Sequence, residues 1–202
     1  MNFSKLCFFC RKKTIYFFLF FYISSSSLFS KEKVEIDGRI GVLFPKSTFR
    51  EIYKYAPMYQ IETSFMLPKS LDFWINFSYY KNTGRSIPLK DKTKVELIPL
   101  SLGLKYRHLI KQDLYFLIGL GPCYTWMRIK NDSEFVEKII KKNSFGAMFK
   151  SSINYKYKKM IFLVFLDYYF QHFHFSTTNL AVSRHSPYVG GFLLGASIGI
   201  NF

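Results

Sequence analysis

From Val34 onward the chain alternates apolar residues with polar or small ones in stretches of about ten, separated by segments rich in Lys, Ser, Pro and Asn. A period of two means strands with two unlike faces. Nothing in this region offers the roughly 20 apolar residues in a row that a spanning helix needs. Eight strands are predicted. Residues 34–44 set Ile36, Ile40, Val42 and Phe44 against Glu35, Asp37 and Arg39. Residues 58–67 oppose Tyr59, Ile61 and Phe65 to Gln60, Glu62 and Ser64, and residues 71–79 oppose Phe73, Ile75 and Phe77 to Asp72, Trp74 and Asn76. In residues 98–107 the leucines face away from Pro99, Ser101, Gly103, Lys105 and Arg107. Residues 114–125 and 145–155 repeat the pattern, with Gly119, Gly121, Lys150 and Ser152 on the polar or small side. Residues 160–172 are apolar on both faces, and Asp167 with Gln171 marks the inward one. Residues 188–202 close the series with Phe192, Leu194, Ile198, Ile200 and Phe202 on one face.

The connections alternate in length. Residues 68–70, 108–112 and 156–159 are short; residues 46–57, 81–93, 128–143 and 173–187 are long. Short turns on one side of a membrane and long loops on the other are the asymmetry of outer-membrane barrels. An even strand count lets the sheet close, and closure is required because lipid cannot satisfy an open strand edge. The expected fold is therefore all-β: an eight-stranded antiparallel up-and-down transmembrane β-barrel.

A soluble sandwich or lipocalin-like barrel is the rival, but it would turn its apolar faces inward. Two aromatic girdles favour the bilayer: Tyr59, Tyr79, Tyr124, Trp126, Tyr168 and Tyr188 towards the long-loop end, and Tyr106, Tyr155 and Phe202 towards the other.

The first 30 residues read as a secretory signal peptide. Lys5, Arg11, Lys12 and Lys13 precede an apolar run from Ile15, and Ser30 precedes the expected cut. An uncleaved anchor is the other possibility, but the run falls short of a span. Residues 31–202 then form one barrel domain. Loss of four bases leaves 25 of the 29 against 13 acids, a formal charge of +12. Cys123 is the one cysteine beyond the leader, so no internal disulfide is expected.

A basic chain raises nucleic acid or a membrane surface as partner. There is no zinc-finger spacing, Gly-rich phosphate loop or RNA-recognition signature, and no nucleic-acid partner is expected. The bases gather in the long connections, among them Lys46, Arg50, Lys54, Lys81, Arg85, Lys92, Lys94, Arg128, Lys130, Lys141 and Lys142. Lipopolysaccharide phosphates are the expected counter-charge, with a host surface glycan as alternative and a merely solvated rim as the bland one.

The segment Gly191-Phe192-Leu193-Leu194-Gly195-Ala196-Ser197-Ile198-Gly199-Ile200-Asn201-Phe202 resembles the closing strand of small outer-membrane barrels of the OmpW, OmpX and OmpA type. The segment Ile98-Pro99-Leu100-Ser101-Leu102-Gly103-Leu104-Lys105-Tyr106-Arg107 resembles a middle strand of the OmpW-like ones. The resemblance implies outer-membrane location. It also implies that Ile198, Ile200 and Phe202 form the signal read by the barrel-assembly machinery. OmpW-like barrels carry an apolar lumen for small hydrophobic molecules. This chain departs from them by placing Arg39, Glu62, Asp72, Lys105, Arg107, Lys150 and Asp167, with Glu35 and Asp37, on the inward faces. Mixed charges in a narrow lumen should pair and plug it, because a lone buried charge is costly.

Some eight-stranded barrels are lipid A deacylases with His-x-Ser on strand seven, which His174-Phe175-Ser176 resembles. No Asp or Glu follows Asp167 to orient that histidine. His172, His174 and His185 lack metal-ligand spacing. No cofactor, metal or catalysis is expected. The expected role is structural or surface-interactive; the alternatives are a channel for small hydrophobic solutes and a lipid A-modifying enzyme.

Overall fold

Eight antiparallel strands close on themselves, each paired with its neighbour in sequence and β1 with β8. They are β1 (Val34–Pro45), β2 (Ala56–Leu67), β3 (Leu71–Arg85), β4 (Lys92–Lys111), β5 (Leu114–Asn131), β6 (Ile139–Tyr157), β7 (Met160–His172) and β8 (Tyr188–Asn201). A short helix, α1 (Ser47–Ile52), follows β1. The computed structural model describes residues 34–85, 91–132, 138–173 and 188–202. Residues 1–30, expected as a signal peptide, and the His174–Ser176 motif, with His185, lie outside the described residues. Among the described residues, no helix is long and apolar enough to cross a membrane.

Faces follow the predicted parity. Ile36, Ile40, Phe77, Leu102, Leu104, Ile118, Phe162 and Ile198 point outward and are exposed, while their sequence neighbours are buried. An outward belt of this composition suits hydrocarbon. Tyr59, Tyr79 and Trp126 stand exposed at the loop end of the belt, Tyr106 and Tyr155 at the turn end. The Tyr188 side chain lies outside the described residues.

Four strands are longer than expected. β3 to β6 span 15, 20, 18 and 19 residues. Residues 81–93 and 128–143, expected as long loops, are mostly paired strand, out to Arg85↔Lys92 and Lys130↔Ile139. The lipid-facing alternation stops there because Lys81, Lys94, Arg128 and Lys130 take the outward positions. Pairing continues because Val95, Leu97, Met127 and Ile129 still have a buried apolar cluster to join. The expected turn at 108–112 tightens to Gln112 and Asp113. At the other turns Lys69, Ser70 and Lys158 take left-handed φ of 63°, 63° and 56° to reverse the chain in few residues.

The interior is layered. Towards the turn end it is charged. Towards the loop end it is apolar, built from Leu43, Met58, Tyr80, Val95, Leu97, Met127 and Leu193. α1 closes that end. Phe49 and Tyr53, four apart and hence on one side of the helix, are both buried in the mouth. Phe49 packs 4.8 Å from Tyr53 and 6.3 Å from Tyr80, centroid to centroid. The Tyr53 hydroxyl lies 3.1 Å from Thr93 Oγ1. The interior therefore holds an apolar plug at the loop end, which the sequence reading did not foresee, beside the charged layer.

Candidate functional site

Glu62 sits at the centre of the charged layer with 0% exposure, so bulk solvent does not reach it and its charge must be met inside the barrel. Three cations reach it. Arg39 Nη2 and Lys105 Nζ each lie 2.6 Å from Oε1, and Lys150 Nζ lies 2.8 Å from Oε2. Asn76 Nδ2 donates to Oε2 at 3.3 Å. Arg39 also holds Asp37 at 2.5 Å and stands 3.9 Å from Asp167, and Lys150 pairs with Asp167 at 3.1 Å. Three carboxylates thus face three cations drawn from β1, β2, β4, β6 and β7. Ser64 Oγ accepts from Lys105 at 2.8 Å, and Ser197 Oγ donates to Asp37 at 3.0 Å.

Gly119 makes part of this geometry possible. It stands in register between Lys105 and Lys150. A Cβ there would come within 2.6 Å of Lys105 Cγ, so a side chain would crowd the path Lys105 takes towards Glu62.

Nearer the turn end Arg107 Nη2 bridges Asp72 at 2.8 Å and Glu35 at 3.2 Å. On the loop side of the hub lies a neutral polar layer. Gln60 Nε2 donates to Ser78 Oγ at 3.1 Å and to the Tyr169 hydroxyl. Arg39, Glu62, Asp72, Lys105, Arg107, Lys150 and Asp167 are therefore brought together inside the barrel as two ion-paired clusters. The resemblance's other residues lie elsewhere. Ile198 and Ile200 face outward on β8, and the Phe202 backbone N–H donates to Val34 O at 2.9 Å, tying the chain end to β1.

Above the aromatic girdle the outer face of the β3–β6 extension is basic. The register aligns Lys81, Glu96, Arg128 and Lys141 across four strands in one row. The next row is Thr83, Lys94, Lys130 and Ile139, and Arg85 pairs with Lys92 beyond it. Lys81 reaches Glu96 at 3.3 Å, so one acid among these bases is already occupied. Directly below, Trp126 packs edge-on to Tyr124 at 4.7 Å, and Asn143 Nδ2 donates to the Tyr124 hydroxyl at 2.6 Å. The bases were visible in the sequence. Their alignment was not, because it depends on the unexpected length of the strands. Phe49 and Tyr53 were missed altogether, although their i, i+4 spacing beside Lys46 and Arg50 was there to be read.

Among the described residues no group of three His, Cys, Asp or Glu side chains gathers as a metal site.

The architecture matches that of OprG from Pseudomonas aeruginosa, with a TM-score of 0.60 at 13% identity over 84% of this chain and 95% of that one. The fold is that of the small outer-membrane barrels. Neisserial surface protein A matches this barrel with a TM-score of 0.55 at 11% identity over 85% of this chain and 97% of that one. Ail, the attachment invasion locus protein of Yersinia pestis, solved in complex with the heparin analogue sucrose octasulfate, matches it with a TM-score of 0.51 at 10% identity, over 84% and 98%. No protein-family model and no curated protein sequence matches the barrel.

Proposed function

We propose that the protein is a non-catalytic barrel of the outer membrane whose basic outer face binds the phosphates of lipopolysaccharide. The observation that carries this is the row Lys81, Glu96, Arg128, Lys141 standing directly above the Trp126 girdle. A two-residue step along a tilted strand rises about 5 Å along the barrel axis, which puts that row at headgroup depth. Lys and Arg meet phosphate there in short charge-assisted hydrogen bonds. Export by a cleaved leader and recognition of Ile198, Ile200 and Phe202 by the barrel-assembly machinery belong to the same proposal.

The test uses the protein in lipid nanodiscs with diphosphoryl lipid A, counting bound lipid by native mass spectrometry. The variant Lys81→Gln/Arg128→Gln/Lys141→Gln should lose a lipid that the unmodified protein holds. Unchanged occupancy would refute the role of this row.

A sulfated surface glycan is the second candidate. It is favoured by the Lys94/Lys130 and Arg85/Lys92 positions, which rise beyond headgroup depth, and by the heparin analogue bound to Ail, a barrel of the same fold. Sucrose octasulfate competing with lipid A for the protein would support it. The channel alternative has less support, since Phe49 and Tyr53 close the mouth above a paired, buried hub. The enzyme alternative has less support, since Asp167 is held by Lys150 inside the barrel.

A further inference from the structure

A second basic site stands at α1, and it is built differently. While Phe49 and Tyr53 fill the barrel mouth, Lys46, Arg50 and Lys54 follow each other at four-residue spacing on the side away from it. With Phe44, Pro45, Tyr55 and Phe192 they line a groove of about 530 Å3 at the outer rim. Its floor is aromatic. Phe44 and Phe192 are a register pair across the β1–β8 seam, Phe44 lies 6.4 Å from Tyr55, and Phe192 lies 4.9 Å from Tyr168. Tyr55 is 70% exposed, an open ring that nothing else in the described residues covers.

Lys46 is held in place. Its backbone N–H donates to Gly190 O at 2.9 Å. Its Nζ stands 4.5 Å over the Phe192 ring and 5.1 Å over Tyr168. Among the described residues no acid lines the groove; Glu51 turns instead to a neighbouring depression with Thr83 and Arg85, which Lys54 also borders. Among the described residues none of Lys46, Arg50 and Lys54 has an ion pair. The three like charges share one groove and repel, and a bound anion would relieve them. The groove continues the outward apolar belt upward from Phe44, so whatever enters it meets lipid below and three cations above.

We infer that this groove seats the phosphorylated sugar of an outer-leaflet glycolipid. The phosphate monoester lies among Lys46, Arg50 and Lys54, and the sugar ring rests on Phe192 and Tyr55. This rests on the outer-membrane placement proposed above, but not on the β3–β6 row.

The test again counts lipid A on the protein in phosphatidylcholine nanodiscs by native mass spectrometry, for the unmodified protein and four variants. Two sites predict two lipid A molecules on the unmodified protein. One should remain on Lys46→Gln/Arg50→Gln/Lys54→Gln, one on the β3–β6 triple variant, and none on the sixfold variant. Phe192→Ala should weaken the site at α1 about tenfold, the size of a lost stacking contact. Phosphate-free lipid A should not fill it, and neither phosphatidylglycerol nor inorganic phosphate should displace lipid A. The substituted side chains are on the surface, and unheated electrophoretic mobility confirms folding. Undiminished occupancy in the α1 triple variant overturns this inference, as does equal binding of phosphate-free lipid A, or equal competition by phosphatidylglycerol or inorganic phosphate. Loss confined to the α1 triple variant would sustain it while removing the β3–β6 row.

Discussion

Lys105 on β4 and Lys150 on β6 hold one carboxylate between them, at 2.6 Å from Oε1 and 2.8 Å from Oε2 of Glu62. Removing that carboxylate leaves both ammonium groups buried without their shared partner. Glu62→Gln should therefore lower stability by about 3–5 kcal/mol, the usual cost of breaking a buried ion pair from one side. A urea titration of the barrel refolded in lipid measures it. Adding Lys105→Met and Lys150→Met should recover part of the loss. No recovery would show that the pairs are not what Glu62 supplies.

Side-chain facing is tested at two outward positions of β3. Ile75→Arg, near mid-belt, should cost about 2–4 kcal/mol, whereas Leu71→Arg at the turn rim should cost about 0–1 kcal/mol. Asn76→Arg is expected to be costly too. Asn76 is fully buried and donates to Glu62, so the new guanidinium would be a fourth cation at the hub. Equal, small effects at Ile75 and Leu71 would contradict the outward belt.

The interior has two closures in series, and they predict conductance. In planar bilayers the unmodified protein should pass no steady current. Phe49→Gly with Tyr53→Gly opens the mouth but leaves the ion-paired hub, so the current should remain undetectable. Adding Glu62→Gln should introduce leak. Steady channels in the unmodified protein would revive the solute-channel reading.

Deleting Phe202 removes the exposed terminal ring and the N–H that bonds Val34 O. The shortened chain should accumulate in the periplasm. Membrane fractionation checks this, and a normal outer-membrane level would remove the assembly role from that residue.

Strand parity was legible in the sequence because a period of two survives wherever one face meets lipid. Ile36, Ile40 and Val42 against Asp37 and Arg39 needed nothing more. Where the lipid ends, so does the signal. Thr83, Lys94 and Lys130 give β3 to β5 no apolar outer face, and continuous strand there looked like loop. α1 is six residues long, too short for a helical period to stand out. Within the hub, Lys150 and Asp167 could be paired from sequence, since they lie on adjacent strands. The contacts of Lys105 and Lys150 with Glu62 could not. They cross the lumen, and their geometry depends on the shear of the closed sheet and on the space left by Gly119.

The composition of the hub bears on how the barrel is made. Its members come from the first, second, fourth, sixth and seventh strands; the β6–β7 hairpin alone holds a matched pair, Lys150 with Asp167, and Glu62 meets its three cations only when β1, β2, β4 and β6 are assembled. A partly built sheet that entered the bilayer would carry unmatched cations and carboxylates until its first and last strands met. Intermediates between an unstructured chain outside the hydrocarbon and a sealed cylinder within it are thereby penalised. Insertion and closure should behave as a single cooperative event, and a fragment lacking β1 and β2, which lacks Arg39 and Glu62, should neither insert nor persist as a half-formed sheet.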